Sequence, residues 1–201
     1  MHFDAIEDFE RELGLPSRWY FSLMSEPEHW SFIVKVHALF EAALPHAIEA
    51  QVQPDGLKTF VSGLSVGGQF GKLTLAHAVG VLDAKQMKFV RLLLSLRNRC
   101  VHDVRNVTFD LDEYFVRLDA REQCQFMELV QDHFAALEAD GKTPASRDEF
   151  IRGNLKFVVW LVASKILAEL YNKRELARQI SQMEPSSGFS DSAFGEVGFS
   201  E

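Results

Sequence analysis

An arginine and a histidine in the middle of the chain have side chains suited to chemistry on phosphate. Asn98 directly follows Arg97, and His102 comes five residues after Arg97, within the segment RNRCVH. The guanidinium group is permanently charged and presents a fork of donors that matches phosphate oxygens. Imidazole titrates near neutrality and can act as acid or base. These residue types therefore suit RNA cleavage without a metal, in which the 2′-hydroxyl needs a base and the leaving 5′-oxygen needs an acid.

The element that must position these residues is a helix predicted from residue 86 to about residue 101. Two adjacent apolar stripes at helical spacing predict that this helix is largely buried. One stripe is Phe89, Leu93, Leu96 and Cys100, and the other is Val90, Leu94 and Val101. Five residues of an ideal helix turn by about 140° and rise by about 7.5 Å. Arg97 and His102 thus converge only if the helix ends between them or if two copies of the chain meet.

These residues resemble the HEPN superfamily (higher eukaryote and prokaryote nucleotide-binding domains), whose members carry an Arg-x4-6-His motif, often with a polar residue after the arginine. The stretch from Phe70 to Leu82, followed by LLLSLRNRCVH, is similar to the bacterial group of mannitol operon repressor-like proteins. The resemblance implies an all-α, HEPN-like helical bundle. It also implies a two-fold homodimer that forms its site across the two subunits. One toxin subgroup has a tyrosine two positions after the histidine, where this chain has Val104, which leaves a toxin assignment open.

Three functions follow as hypotheses. The first is a metal-independent endoribonuclease of a toxin or defence system, with an antitoxin as partner and Arg97, Asn98 and His102 as catalytic residues. In this hypothesis Arg99 and Arg105 bind the RNA substrate. The second is a non-catalytic regulatory dimer that binds a nucleotide or a regulatory partner protein, as the repressor-like relatives imply. The third is a structural role, in which Arg97 bonds carbonyl groups and His102 caps the helix.

Composition limits the other possibilities. The chain has 201 residues and a formal net charge of −8, which argues against a broad nucleic-acid-binding surface but permits a small basic site. None of the seven histidines has a familiar metal-ligand spacing, so neither a metal nor a cofactor is expected. The apolar run from Phe157 to Ser164 is too short to span a bilayer, and no secretory leader is evident. A cytoplasmic protein without a membrane segment is therefore expected, with Cys100 and Cys124 as reduced core thiols.

The chain divides into three predicted regions, which are an N-terminal helix and linker (1–26), a HEPN-like helical domain (27–183) and a flexible C-terminal tail (184–201). The tail has no helical period and is rich in glycine and serine, which predicts disorder in isolation. Its three phenylalanines among acidic residues could also bind a partner. They are Phe189, Phe194 and Phe199.

Within the helical domain, sequence signals predict where helices begin and break. Ser25 with Glu28, and Ser146 with Glu149, fit the capping box that starts a helix. The first is predicted to open a helix from about 27 to 51, with a kink or break before Pro45. The second is predicted to open a long helix that reaches about residue 183. Further helices are expected at 3–13, 70–79 and 119–137, with a short piece at 57–64.

Overall fold

The computed structural model describes residues 2–52, 56–69, 71–102, 104–134 and 144–183. Every regular element in these ranges is helical, which confirms the predicted all-α class. The predicted C-terminal tail lies outside the described residues. The α-helices are α1 (His2–Glu12), α2 (Trp19–Ser22), α3 (His29–Gln51), α4 (Gly56–Gly63), α5 (Lys72–Ala78), α6 (Ala84–His102), α7 (Leu111–Arg117), α8 (Ala120–Val130), α9 (Pro144–Gly153) and α10 (Leu155–Met183). Short 3₁₀ helices span Leu23–Ser25, Val104–Thr108 and Gln131–Phe134.

Helix α3 lies at the centre of the bundle and packs against both α6 and α10. Apolar residues at helical spacing predict the inward face of this helix, and all six of them are buried. They are Ile33, Val36, Phe40, Leu44, Ala47 and Ile48. The prediction allowed a kink or a break before Pro45; the helix is continuous through Pro45, so the break does not occur. Its 23 residues are long and apolar enough to cross a membrane. Length and composition alone do not distinguish a membrane span from a core helix, and the burial of α3 is what a core helix shows.

Helix α10 is apolar around most of its first half, and the chain itself provides the burial. Helices α1 and α3 pack along α10, and residues on several of its sides are inaccessible to solvent. These buried residues include Val158, Val159, Val162, Ala163, Ile166, Leu167 and Leu170. An apolar circumference of this kind also predicts that a second subunit covers part of the helix. Because the fold accounts for this burial within one copy, that argument no longer supports a dimer.

The predicted N-terminal helix and linker contribute to the same core through a buried carboxylate. Glu10 is buried, and its two oxygens accept hydrogen bonds from the backbone N–H groups of Arg18 (2.9 Å) and Tyr20 (2.6 Å). Arg18 adopts a positive φ of 61° in the turn before α2. The Glu10 side chain, eight residues upstream, stabilises this turn by accepting the Arg18 N–H. Tyr20 then stacks on Trp160, with ring centroids 5.4 Å apart. These contacts fix the N-terminal segment onto α10.

Both predicted capping boxes are wrong. Ser25 ends a 3₁₀ helix, and the N-cap of α3 is Glu28, which makes no side-chain capping bond. The Lys156 ammonium instead bonds the carbonyls of Met24 and Glu26 in that segment. Ser146 lies inside α9, which begins at Pro144. Proline suits the first helical position because it lacks the N–H that the first turn leaves unbonded. The predicted long helix is interrupted at Asn154, whose side chain donates to the Phe150 carbonyl (2.8 Å).

The segment after α6 contains a helix that was not among those predicted. Asp110 caps α7 by accepting hydrogen bonds from the backbone N–H groups of Asp112 and Glu113, each at 2.9 Å. Asp119 and Glu122 then form a capping box that opens α8, as the predicted start of a helix at 119 requires. The α-helix ends at Val130 and continues only as the 3₁₀ helix to Phe134. Helix α8 packs against both α6 and α10, and α7 packs against α10.

A glycine-rich loop between α4 and α5 folds tightly against itself. The N–H of Lys72 bonds the Ser65 carbonyl (2.8 Å), and the N–H of Leu73 bonds the Val66 carbonyl (3.1 Å). A Cβ atom on Gly71 would come within 2.7 Å of the Gly67 carbonyl carbon. No strand precedes this loop in the described chain, so its Gly-x-Ser-x-Gly pattern is not the strand-turn-helix that a nucleophile elbow needs.

Candidate functional site

Helix α6 presents one buried face and one exposed face. The predicted stripe of Phe89, Leu93, Leu96 and Cys100 is buried, as expected. The neighbouring stripe is not: Val90 is buried, Leu94 is partly buried and Val101 is 38% exposed. Away from the core, four polar residues recur at helical spacing and are exposed or partly exposed. They are Arg91, Ser95, Asn98 and His102. The prediction that α6 is largely buried is therefore wrong, because only one side packs.

Two side chains from outside α6 bond the carbonyls at its carboxyl end, one from α3 and one from the segment just after α6. The Trp30 indole N–H donates to the Cys100 carbonyl at 2.8 Å, and the Asn106 amide donates to the Arg99 carbonyl at 2.7 Å. Carbonyls in the last turn of a helix lack intrahelical donors, so these bonds stabilise the helix end. Neither Arg97 nor His102 makes such a bond within the described residues. The structural hypothesis expects Arg97 to bond carbonyls and His102 to cap the helix, and neither contact is present among the described residues.

Arg97 and Asn98 are both partly buried and are hydrogen-bonded to each other. The Arg97 guanidinium donates to the Asn98 side-chain oxygen at 3.2 Å. Its charge also acts on His37 of α3, which is 1% exposed. Burial lowers the pKa of His37, and Arg97 lowers that pKa further, while Glu41 opposes both. His37 is therefore the neutral neighbour of a permanent cation.

The buried histidine gives a prediction about pH. The pKa of His37 is lower in the folded protein than the ordinary value of about 6.5 in the unfolded chain. The unfolded chain therefore binds the proton first, and folding free energy present above about pH 6.5 is lost as the pH falls. We expect the unfolding free energy of wild type to drop between pH 7 and 5 more steeply than that of His37→Phe. The difference in slope should be at most about 1.4 kcal/mol per pH unit.

Urea unfolding at a series of pH values measures both slopes. Burial also lowers the pKa of His133, but His133 is present in both proteins and its contribution cancels in the comparison. Equal slopes in the two proteins would show that His37 takes up its proton as readily in the folded state as in the unfolded one.

His102 is the last residue of α6 and is exposed to solvent. It makes no hydrogen bond with the described part of the chain. The helix continues past Arg97 without interruption and ends only after His102. The two side chains therefore leave the helix about 140° apart. Of the two ways in which they could converge, an earlier helix end is ruled out within one copy.

Arg99 and Arg105 line one cleft of about 340 Å³ between the end of α6 and α7. Arg117 also lines it, as do three carboxylates, Asp110, Glu113 and Glu122. We call this the arginine cleft. Arg99 lies over the Tyr114 ring, 5.1 Å from its centroid. The structure thus brings together the two predicted substrate-binding arginines, whereas Arg97, Asn98 and His102 do not line the cleft.

The two cysteines lie in different environments. Burial raises the pKa of the Cys100 thiol to about 11, which keeps it protonated, so Cys100 is a core thiol as predicted. Cys124 is exposed, so the prediction of a core thiol is wrong for Cys124.

His29, Asp110 and Asp112 bring possible metal-ligand atoms within 4.8 Å of one another. The His29 Nδ1 atom, however, accepts the Leu111 backbone N–H at 2.9 Å, and Asp110 caps α7. We assign no metal to this group.

Comparison with known proteins found no family model, no curated protein and no solved structure that matches the chain. Functional assignment therefore depends on the residues themselves.

Proposed function

We propose that the chain is a HEPN-type, metal-independent endoribonuclease that acts as a two-fold homodimer. The observation that supports this best is the position of His102, which is exposed at the end of an unbroken helix and points away from Arg97. One copy offers a single candidate histidine at the motif, whereas the reaction needs an acid and a base. A second copy that meets the exposed end of α6 would supply the second imidazole and a second Arg97.

In the proposed reaction the neutral imidazole of one His102 removes the proton of a ribose 2′-hydroxyl. The 2′-oxygen then bonds to the adjacent phosphorus, and the bond from phosphorus to the 5′-oxygen breaks. The protonated imidazole of the second His102 gives its proton to that leaving oxygen. The products are a 2′,3′-cyclic phosphate and a free 5′-hydroxyl. Each histidine ends in the state in which the other began, so no metal or cofactor is needed.

Arg97 would stabilise the negative charge that builds on the non-bridging phosphate oxygens. Its hydrogen bond to Asn98 restrains the guanidinium, and a charge-stabilising group benefits from being positioned before the reaction begins. Arg99 and Arg105 would contact neighbouring phosphates from the arginine cleft. Their charge is local on a chain of net charge −8, which favours short or structured RNA targets over long non-specific binding.

The direct test combines oligomeric state with cleavage. Light scattering at micromolar concentration should report a dimer, and the purified protein should cut single-stranded RNA in the presence of EDTA. Because the reaction needs both histidines, adding inactive His102→Ala protein to wild type should lower the activity per wild-type subunit once subunits exchange, since a mixed dimer carries only one His102. A monomer that cuts RNA at full rate would contradict the shared site.

A second function, a non-catalytic regulatory dimer, is favoured by one observation. The arginine cleft holds as many carboxylates as guanidinium groups, a mixture better suited to a protein surface than to a polyanion. In this case a regulatory partner protein would bind there. A stable dimer that leaves RNA intact, and whose cleft variants change partner binding alone, would establish this alternative.

A further inference from the structure

A groove of about 560 Å³ runs between α6 and α8, beside the arginine cleft. Its floor is apolar and is formed by Leu92, Leu118, Phe126 and Leu129. One wall carries Lys85, Lys88 and Arg91 of α6, and the other carries Glu122, Gln125 and Glu128 of α8. The volume is in the range of ligand-binding sites in proteins.

The two walls differ in how far their charges are already paired. Glu122 completes the capping box of α8, and Glu128 lies 3.6 Å from the Cys124 sulfur as a hydrogen-bond acceptor. On the opposite wall, Lys85 is already paired with Asp132. Lys88 and Arg91 are exposed and make no ion pair with a carboxylate in the described chain. An occupant with apolar side chains and negative charge would therefore satisfy the floor and the basic wall together.

The chain contains one segment with that chemistry. The eighteen residues after Met183 include four acidic residues and no lysine or arginine. They also include three phenylalanines, each five residues from the next. We propose that this C-terminal segment, 184–201, binds in the groove between α6 and α8, with Phe189 and Phe194 on the apolar floor and Asp191 at the basic wall. The proposal does not depend on the chain being a ribonuclease.

The distances allow this arrangement. Helix α10 passes the amino end of α6, where Glu169 bonds Gln86 and the Lys173 ammonium bonds the Val81 carbonyl at 2.8 Å. Ten further helical residues carry the chain about 15 Å beyond that point. An extended chain covers about 3.3 Å per residue, so about five residues suffice to return. Phe189 is the sixth residue after Met183 and would reach the Lys85 end of the groove first.

The groove length also matches the spacing of the phenylalanines. From Lys85 to Ser95 the helix rises by about 15 Å. Five extended residues, the separation of Phe189 and Phe194, cover about 17 Å. Phe194 would then lie near Tyr114, which the groove shares with the arginine cleft.

Nuclear magnetic resonance on the ¹⁵N-labelled full-length chain tests the proposal. We expect backbone order parameters above about 0.6 for residues 189–194 in wild type, and lower values in the Lys88→Glu, Arg91→Glu double variant. Arg121→Glu is the matched control, since it reverses a charge on the exposed side of α8 outside the groove, and it should leave the values unchanged. Order parameters below that threshold throughout 184–201 in wild type would overturn the proposal.

Variants in the tail provide a second measurement that cannot disrupt the core. Phe189→Ser and Phe194→Ser should shift the methyl resonances of Leu92 and Leu129, whereas Phe199→Ser should not. An ordered tail that ignores both the charge reversals and these substitutions would show that it binds elsewhere. Order that disappears on dilution would show that the occupant is the tail of another copy, and would overturn binding within one chain.

Discussion

Replacing His102 with alanine is expected to lower RNA cleavage by at least about 10²-fold, the usual contribution of a general acid or base. In a dimer both the acid and the base are lost, so activity should fall to background. Because His102 is exposed and makes no hydrogen bond with the described residues, the unfolding free energy should change by no more than about 0.5 kcal/mol. A cleavage assay in EDTA and a urea melt measure the two effects separately.

Arg97 provides the sharper comparison. Arg97→Lys keeps the charge but loses the planar fork of donors, so cleavage should fail as it does in Arg97→Ala. Arg97 is partly buried and bonded to Asn98, so its loss should cost no more than about 1–2 kcal/mol of stability. Arg91→Lys and His46→Ala are matched controls, since both alter exposed helical residues outside the motif. Full activity of Arg97→Lys would remove the bidentate role.

Gly71→Ala is expected to have the largest effect on stability of any exchange of a single glycine in the described chain. The added Cβ would meet backbone atoms, including the Gly67 carbonyl carbon at 2.7 Å and the Ser65 carbonyl oxygen at 2.9 Å. Backbone atoms cannot rotate away as a flexible side chain can. The loop must therefore open and lose the bonds from Lys72 and Leu73, at a cost of roughly 3 kcal/mol or more.

Gly63→Ala is the control, because a Cβ there meets no atom within 4 Å and Gly63 ends helix α4. Alanine at that position should be neutral or stabilising by up to about 1 kcal/mol. Chemical denaturation of both variants measures the contrast. Similar stabilities for the two alanine variants would mean that the loop adapts without losing its hydrogen bonds.

The sequence predicted those parts of the fold that depend on local periodicity. The inward residues of α3 and the buried stripe of α6 follow from apolar spacing alone, since a helix must bury its apolar face. The exposure of Val101 and Leu94 was not predictable in the same way. Whether a second stripe is covered depends on which elements lie beside it, and that is decided by the rest of the chain.

The end of α6 shows why the site itself was harder to predict. Its carbonyls are bonded by Trp30, seventy residues away, and by Asn106, which a 3₁₀ turn brings back. No local pattern pairs an indole with a carbonyl at that separation. The cap of α7 was different, because Asp110 with Glu113 three residues later is a local signal that could have been found. Ser25 and Ser146 fit the same pattern, and tertiary contacts overrode it there.

The reciprocal bonds between Tyr20 and Trp160 have a consequence for how the protein is made. The Tyr20 hydroxyl donates to the Trp160 carbonyl at 2.6 Å, the Trp160 indole donates to the Tyr20 carbonyl at 3.0 Å, and 140 residues separate them. At typical synthesis rates the first partner waits roughly 7 to 28 s for the second to emerge. During that interval the apolar residues of α1 and α3 have no α10 to cover them. Chaperone binding to the nascent N-terminal segment should therefore be strongest before α10 is synthesised, and the protein should fold more slowly than a helical bundle built from neighbouring contacts.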